Sequence, residues 1–254
     1  MALGQAHFTL SQLTRETGLS TKAAREQLIH LRGQVTRVSP RQEFFVIVSP
    51  EQRLMGAPPV YWWLDAFFRE RNRPYYVGLL SAAAEHGSSH QAVQAVQVVT
   101  DRPMRELVIG RQRIQFFVRK QILRVSTMQL EQAHSPLLIS TPEATALDLI
   151  RYAYRIGGMG RAAEVISGLL GRFRMGAFSV ALQAETETSN VQRLGYVLDK
   201  LARPDLCRVV AKRLPDKLSV VSLEKHKPPL SSAPPAISSQ WSVLINTHLK
   251  DDKS

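Results

Sequence analysis

The chain has 254 residues and a formal net charge of +12, with a sequence pI near 10.3. Its length suits one large domain or two ordinary ones, its 44% apolar content can build a packed core, and its charge favours polyanionic partners. The single cysteine, Cys207, excludes an intrachain disulfide; the start "MALGQAHFTLSQL" lacks the basic and apolar regions of a signal peptide, and no stretch approaches the roughly 20 apolar residues of a membrane span. The expectation is a soluble cytoplasmic protein.

The opening stretch "LSQLTRETGLSTKAAREQL", residues 10–28, holds two short amphipathic segments around Gly18-Leu19-Ser20. Gly18 can take the left-handed conformation that ends a helix, and Ser20 or Thr21 can cap the next one. Ala24, Leu28 and Leu31 then recur as one apolar stripe, with Lys22, Arg25 and Glu26 off it, and Gly33 supplies the stop. "QVTRV", a polar "SPRQE" turn and "FFVIV" read as a hairpin. Helix, tight turn, helix, hairpin is the order of a winged helix-turn-helix, although only "MALGQAHF" precedes it, too little for a full leading helix. In that reading Ser20, Thr21, Lys22 and Arg25 start a helix that enters the major groove, while Arg41 at the wing tip reaches the backbone or minor groove. A helical hairpin with no partner is the plainer alternative.

"GAPPV", 56–60, cannot continue regular structure and reads as a linker. "YWWLDAFFRER" is predicted to be an amphipathic helix with Trp63, Phe67 and Arg71 on different sides, its aromatics serving as packing core. "YYVGLLSAAAEHG" reads as a helix ended by Gly87; "AVQAVQVVT" and "ELVIGRQRIQFFV" read as strands, the second folded at Gly110-Arg111. The densest positive run lies here: Arg102, Arg105, Arg111, Arg113, Arg119, Lys120 and Arg124 against Glu106 alone. The excess is nonetheless spread, with net +3 over 1–60, +4 over 61–140, +4 over 141–220 and +1 beyond. Arg111 and Arg113 are therefore further candidates for phosphate contact.

"LLISTPEATALDLIRYAY" predicts a strand ending at Ser140, a capping box from Ser140 to Glu143, and a helix burying Ala146, Leu149, Ile150 and Ala153. Helical patterns follow over 161–170, 176–184, 190–201 and 204–214, with Leu194, Leu198 and Leu201 as a stripe. "LSVVSL" reads as a strand, 225–236 as a proline-rich loop, and "WSVLINTHL" as a return to order.

Four segments occur in order at suitable spacing: "RPYYVGLLSAAAEHGSSHQAVQAVQVVT", "ISTPEATALDLIRY", "VQRLGYVLD" and "WSVLIN". Together they resemble the AbiEi antitoxin family of type IV toxin–antitoxin, abortive-infection systems. The resemblance implies an α+β chain, with a winged helix-turn-helix over 1–55, the linker 56–60 and an antitoxin domain over 61–254. It also implies repression of its own operon by binding double-stranded DNA at promoter inverted repeats, with two copies as a dimer on DNA. Its functional partner would be an AbiEii-type nucleotidyltransferase toxin, countered without a stable complex.

No catalytic constellation stands out. Glu85, His86 and His90 have a glycine-broken spacing unsuited to a metal, and Gly157-Gly158-Met159-Gly160 follows a helix and reads as its C-cap and turn. Asp148 and Arg151 read as a local ion pair, Asp101 as a weak nuclease carboxylate, and Cys207 as a packed, inert thiol. No metal, cofactor or enzymatic activity is expected. The competing reading is a stand-alone winged-helix regulator whose C-terminal domain senses something else.

Overall fold

The computed structural model describes residues 6–88, 94–130, 136–228, 230 and 236–249. They fall into two compact units interleaved in sequence. One takes its residues from Met1–Val77, Gln94–Ile122 and Gln129–Ile139, the other from Gly78–Val93, Leu123–Met128 and Ser140–Ser254.

The first unit opens with β1 (His7–Thr9), α1 (Leu10–Thr17), α2 (Thr21–His30) and the hairpin β2 (Val35–Ser39) and β3 (Gln42–Ile47). Thr9 ends the strand and caps the helix: its hydroxyl accepts from the Gln12 amide at 3.1 Å, and the Gln12 side chain accepts from the Thr9 amide at 2.8 Å. Gly18 sits at φ 71° and donates to the Thr14 carbonyl, and the Ser20 hydroxyl accepts from the Ala23 amide at 3.2 Å. Both cap residues are the predicted ones. Phe8, Leu10, Ala24 and Phe45 form the core of this part, with Leu13 and Leu28 packed against it. Leu31 falls off the predicted stripe, 38% exposed, because α2 ends at His30.

The wing is tighter than the sequence suggested. Ser39 pairs with Gln42, so only Pro40 and Arg41 form the turn. In place of a leading helix, β1 pairs antiparallel with β3 and closes a sheet of order β1-β3-β2.

Beyond the hairpin come α3 (Leu64–Arg69) and strands β4 (Tyr75–Val77), β5 (Val96–Thr100), β6 (Leu107–Ile109), β7 (Gln112–Val118), β8 (Thr127–Leu130) and β9 (Leu137–Ser140), of which Thr127, Met128 and Ser140 are counted with the second unit. The strands form a six-stranded mixed sheet of order β6-β7-β5-β4-β9-β8. "YYV", expected to be helical, is β4, between the antiparallel β5 and the parallel β9. The aromatic segment is a 3-10 turn and a short helix rather than one long helix. Trp63, Phe67 and Arg71 share one side, contrary to the sequence reading. Trp63 meets Phe67 edge-on at 6.0 Å and the Arg71 guanidinium lies 4.4 Å over the Phe67 ring, as a spacing of four dictates. Phe44 of the wing joins them, 5.5 Å from Phe67. Gly56, at φ 71°, approaches Gly110, at φ 58°, so closely that a Cβ on either would strike the other's backbone.

The second unit contains α4 (Leu79–Glu85), α5 (Pro142–Arg151), α6 (Met159–Leu169), α7 (Met175–Ala184), α8 (Thr188–Lys200) and α9 (Pro204–Arg213). A small sheet of β10 (Val221–Ser222), β11 (Ile237–Ser238) and β12 (Val243–Leu244) completes it in the order β10-β12-β11. Helix α5 is its buried axis: Glu143 through Ile150 are all buried. Its cap is Thr141, whose hydroxyl accepts from the Ala144 amide, one residue later than predicted. Ser140 still belongs to the strand and bonds the Thr145 hydroxyl at 2.7 Å, while Glu143 accepts from the Arg174 amide at 2.8 Å.

Candidate nucleic-acid interface

The expected contact residues lie on three pieces of the first unit. Thr21 and Lys22 are exposed in the first turn of α2. Ser20 is committed to capping that turn, so its part is to fix the start of the helix. Arg25, one turn on, is not free: its Nε and Nη2 donate to Glu43 Oε1 at 2.9 and 2.7 Å. Arg41 occupies the wing turn, its amide donating to the Ser39 hydroxyl at 3.4 Å. Arg111 lies in the β6–β7 turn, where its amide donates to the Met55 carbonyl at 2.8 Å. Arg113 is paired with Glu106 at 2.8 Å. The Thr36 hydroxyl bonds the Gly56 carbonyl, so the wing and the 110–111 turn both rest on residues 55–56.

Sequence reasoning missed Glu43, which stands 18 positions from Arg25 and on another element. It also missed Arg37, whose Nε donates to the Gln42 carbonyl and stiffens the wing. No local pattern announces either contact.

The side chains weighed for chemistry are engaged structurally. The Asp101 carboxylate is held by Arg73 at 2.5 Å and by Arg102 at 3.2 Å. Burial works against its charge, but these hydrogen bonds and the Arg73 charge bring its pKa down to about 2. The His86 ring nitrogen bonds the Ser140 carbonyl at 2.7 Å, and His90 lies outside the described residues. Among the described residues no three His, Cys, Asp or Glu side chains group as metal ligands. Burial, with the charges of Asp199 and Asp205, pushes the Cys207 thiol up to about 11. Arg151 reaches beyond its own helix to Glu185 and Glu187. Gly158, at φ 94°, closes the preceding 3-10 turn by donating its amide to the Ala153 carbonyl at 2.8 Å, as expected of a closing turn, and is also the N-cap of α6; a Cβ on it would meet the Glu224 carboxylate at 2.9 Å.

Two of the segments that carried the family resemblance, "VQRLGYVLD" and "WSVLIN", pack on one another within the second unit. The Gln192 side-chain amide donates to the carbonyls of Ser219 and Trp241, and Arg193 Nε donates to that of Ser222. Gly195 leaves room for the Trp241 indole, which would overlap any Cβ there. Asn246 clamps the 224–227 turn, accepting from the Glu224 amide and donating to the carbonyls of Glu224 and Lys227. "VQRLGYVLD" and "WSVLIN" thus complete each other's packing.

These features define a mixed α/β protein with a helix–turn–helix and hairpin at one end of the sequence and a helical unit built on α5. Residues 76–200 match the family profile of the AbiEi antitoxin C-terminal domain, so the chain carries an AbiEi-type antitoxin domain. The fold is shared with the crystal structure of the RV2827C protein from Mycobacterium tuberculosis, at a TM-score of 0.66 and 14% identity, with 94% of this chain and 86% of that chain covered. No curated protein matches significantly. Among the described residues no helix is long and apolar enough to cross a membrane.

Proposed function

We propose that this protein is the antitoxin of a type IV toxin–antitoxin pair that also represses its own operon. The AbiEi domain counters a nucleotidyltransferase toxin of the AbiEii kind. The N-terminal helix–turn–helix and wing bind double-stranded DNA at inverted repeats, two copies to an operator, since paired half-sites mirror protein two-fold symmetry. Thr21, Lys22, Arg25 and Arg41 make the principal contacts, Ser20 fixes the helix start, and Arg111 and Arg113 add phosphate contacts. The observation that carries this reading is the joining of an AbiEi antitoxin domain to a capped helix–turn–helix and two-residue wing turn on a strongly basic chain. The engaged state of the residues weighed as catalysts agrees with a regulatory role.

Growth rescue tests it. A nucleotidyltransferase gene adjoining this one is induced in a bacterial host alone, with the full chain, and with the full chain carrying Lys22→Ala and Arg25→Ala. The expected result is toxicity that both chains relieve, with operator binding confined to the unsubstituted one. Operator binding without rescue would leave a transcriptional regulator and remove the antitoxin reading.

A further inference from the structure

The Arg25–Glu43 pair is an unusual thing to find on a surface meant for phosphates. It joins the middle of α2 to the wing strand β3, and both side chains are exposed, 59% and 38%. A carboxylate there repels the DNA backbone and weakens non-specific binding, which is almost wholly electrostatic. An exposed pair of this kind contributes little to stability. The geometry is what distinguishes it. A guanidinium has two edges able to donate in parallel, a side edge of Nε and Nη2 and an end edge of Nη1 and Nη2. Glu43 takes the side edge, with Nε and Nη2 both on Oε1. The arginine is thereby held at a fixed angle with Nη1 uncommitted to Glu43, and the end edge is the one that matches O6 and N7 of guanine in the major groove.

We propose that Glu43 is a positioning residue for sequence readout: it holds Arg25 to read one guanine of each half-site and bars that arginine from drifting to a phosphate. The inference rests on the DNA-binding reading above and deepens it by naming the base and the residue that enforces the choice. Glu43 touches no DNA in this scheme. It works through Arg25, which without it becomes a mobile cation indifferent to sequence.

The test uses the full chain and a pool of random duplexes, from which bound sequences are selected and read, for the wild type, Glu43→Gln and Arg25→Ala. Glutamine keeps the shape of the side chain and removes its charge, and circular dichroism confirms that each variant is folded. The expected result is a wild-type motif with a guanine at a fixed position, degenerate at that position in both variants. Preference there falls about tenfold, the range of a single bidentate arginine–guanine contact. Glu43→Gln should also bind a scrambled duplex more tightly than the wild type. Its salt dependence on that duplex should steepen by about 0.9 in log–log slope, the signature of one additional phosphate contact. A Glu43→Gln motif identical to the wild type, with Arg25→Ala altered, overturns the role of Glu43 and leaves DNA binding standing. Failure of the wild type to retain any duplex overturns the DNA-binding reading itself.

Discussion

At the scale of single residues, local chemistry was legible and distant partners were not. Gly18 and Ser20 could be assigned because a cap is written within three or four residues of the chain. Gly195 could not. Nothing in "QRLGYVLD" says that an indole 46 positions later fills the space above it. Its substitution is diagnostic. Inside a helix Gly→Ala ordinarily stabilises, by up to about 1 kcal/mol. Here the added methyl overlaps Trp241, which is fully buried, so Gly195→Ala should destabilise by about 1–3 kcal/mol, the usual cost of overpacking. Urea denaturation decides the sign. A second residue-scale expectation concerns acid. The Asp101 carboxyl lies at about 2 against an ordinary 3.8, so folding favours its charged form. That contribution is complete above about pH 4 and is lost as pH falls toward 2. Asp101→Asn should therefore cost on the order of 1 kcal/mol at neutral pH, a value reduced by solvent screening. The difference from the wild type should shrink as the pH of the melt is lowered through that window.

Elements were legible in proportion to how locally they are determined. Helices α6 to α9 fall within two residues of their predicted ends, because amphipathic spacing and terminal Gly or Pro mark them. Strands β1 and β4 were missed. Each is three residues long, and His7–Thr9 becomes a strand only by pairing with Val46, Phe45 and Phe44. The cap of α5 slipped from Ser140 to Thr141 for a related reason: both can cap, and β9 claims the first. At α2 the cap is predicted to matter twice. Ser20→Ala leaves the Ala23 amide without its partner and should cost about 1 kcal/mol of stability. If α2 is the groove-entering helix, fraying its first turn also loosens Thr21 and Lys22. Operator affinity should then fall further than the loss of stability requires, while Ser20→Asp, which restores a cap, should recover the fold but add a repelling charge. Comparing melts with DNA titrations for the two variants separates capping from contact.

For the whole molecule, composition indicated a polyanion partner, but not how much of the charge is available. The run at 102–124 counted seven cations against one acid. In the fold Arg102 is engaged by Asp101 and Arg113 by Glu106, while Arg119 is buried. Arg111 instead stands in a turn fixed by the hydrogen bond its backbone amide donates to the Met55 carbonyl and by the Gly56–Gly110 approach. This corrects the weight of a prediction that charge counting alone would overstate. If both Arg111 and Arg113 met phosphates, replacing them with alanine would flatten the log–log salt slope of DNA binding by about 1.8. Because Arg113 must first give up Glu106, the loss should lie nearer 0.9, most of it reproduced by Arg111→Ala alone. Sequence preference should be unchanged, since phosphate contacts position a protein without reading bases. The measurement is the apparent affinity of the full chain for one operator duplex across a salt series, with Arg111→Ala, Arg113→Ala and the double variant side by side. A slope that none of them alters would confine DNA contact to the helix–turn–helix and its wing. Equal losses from the two single variants would mean that DNA competes successfully with Glu106.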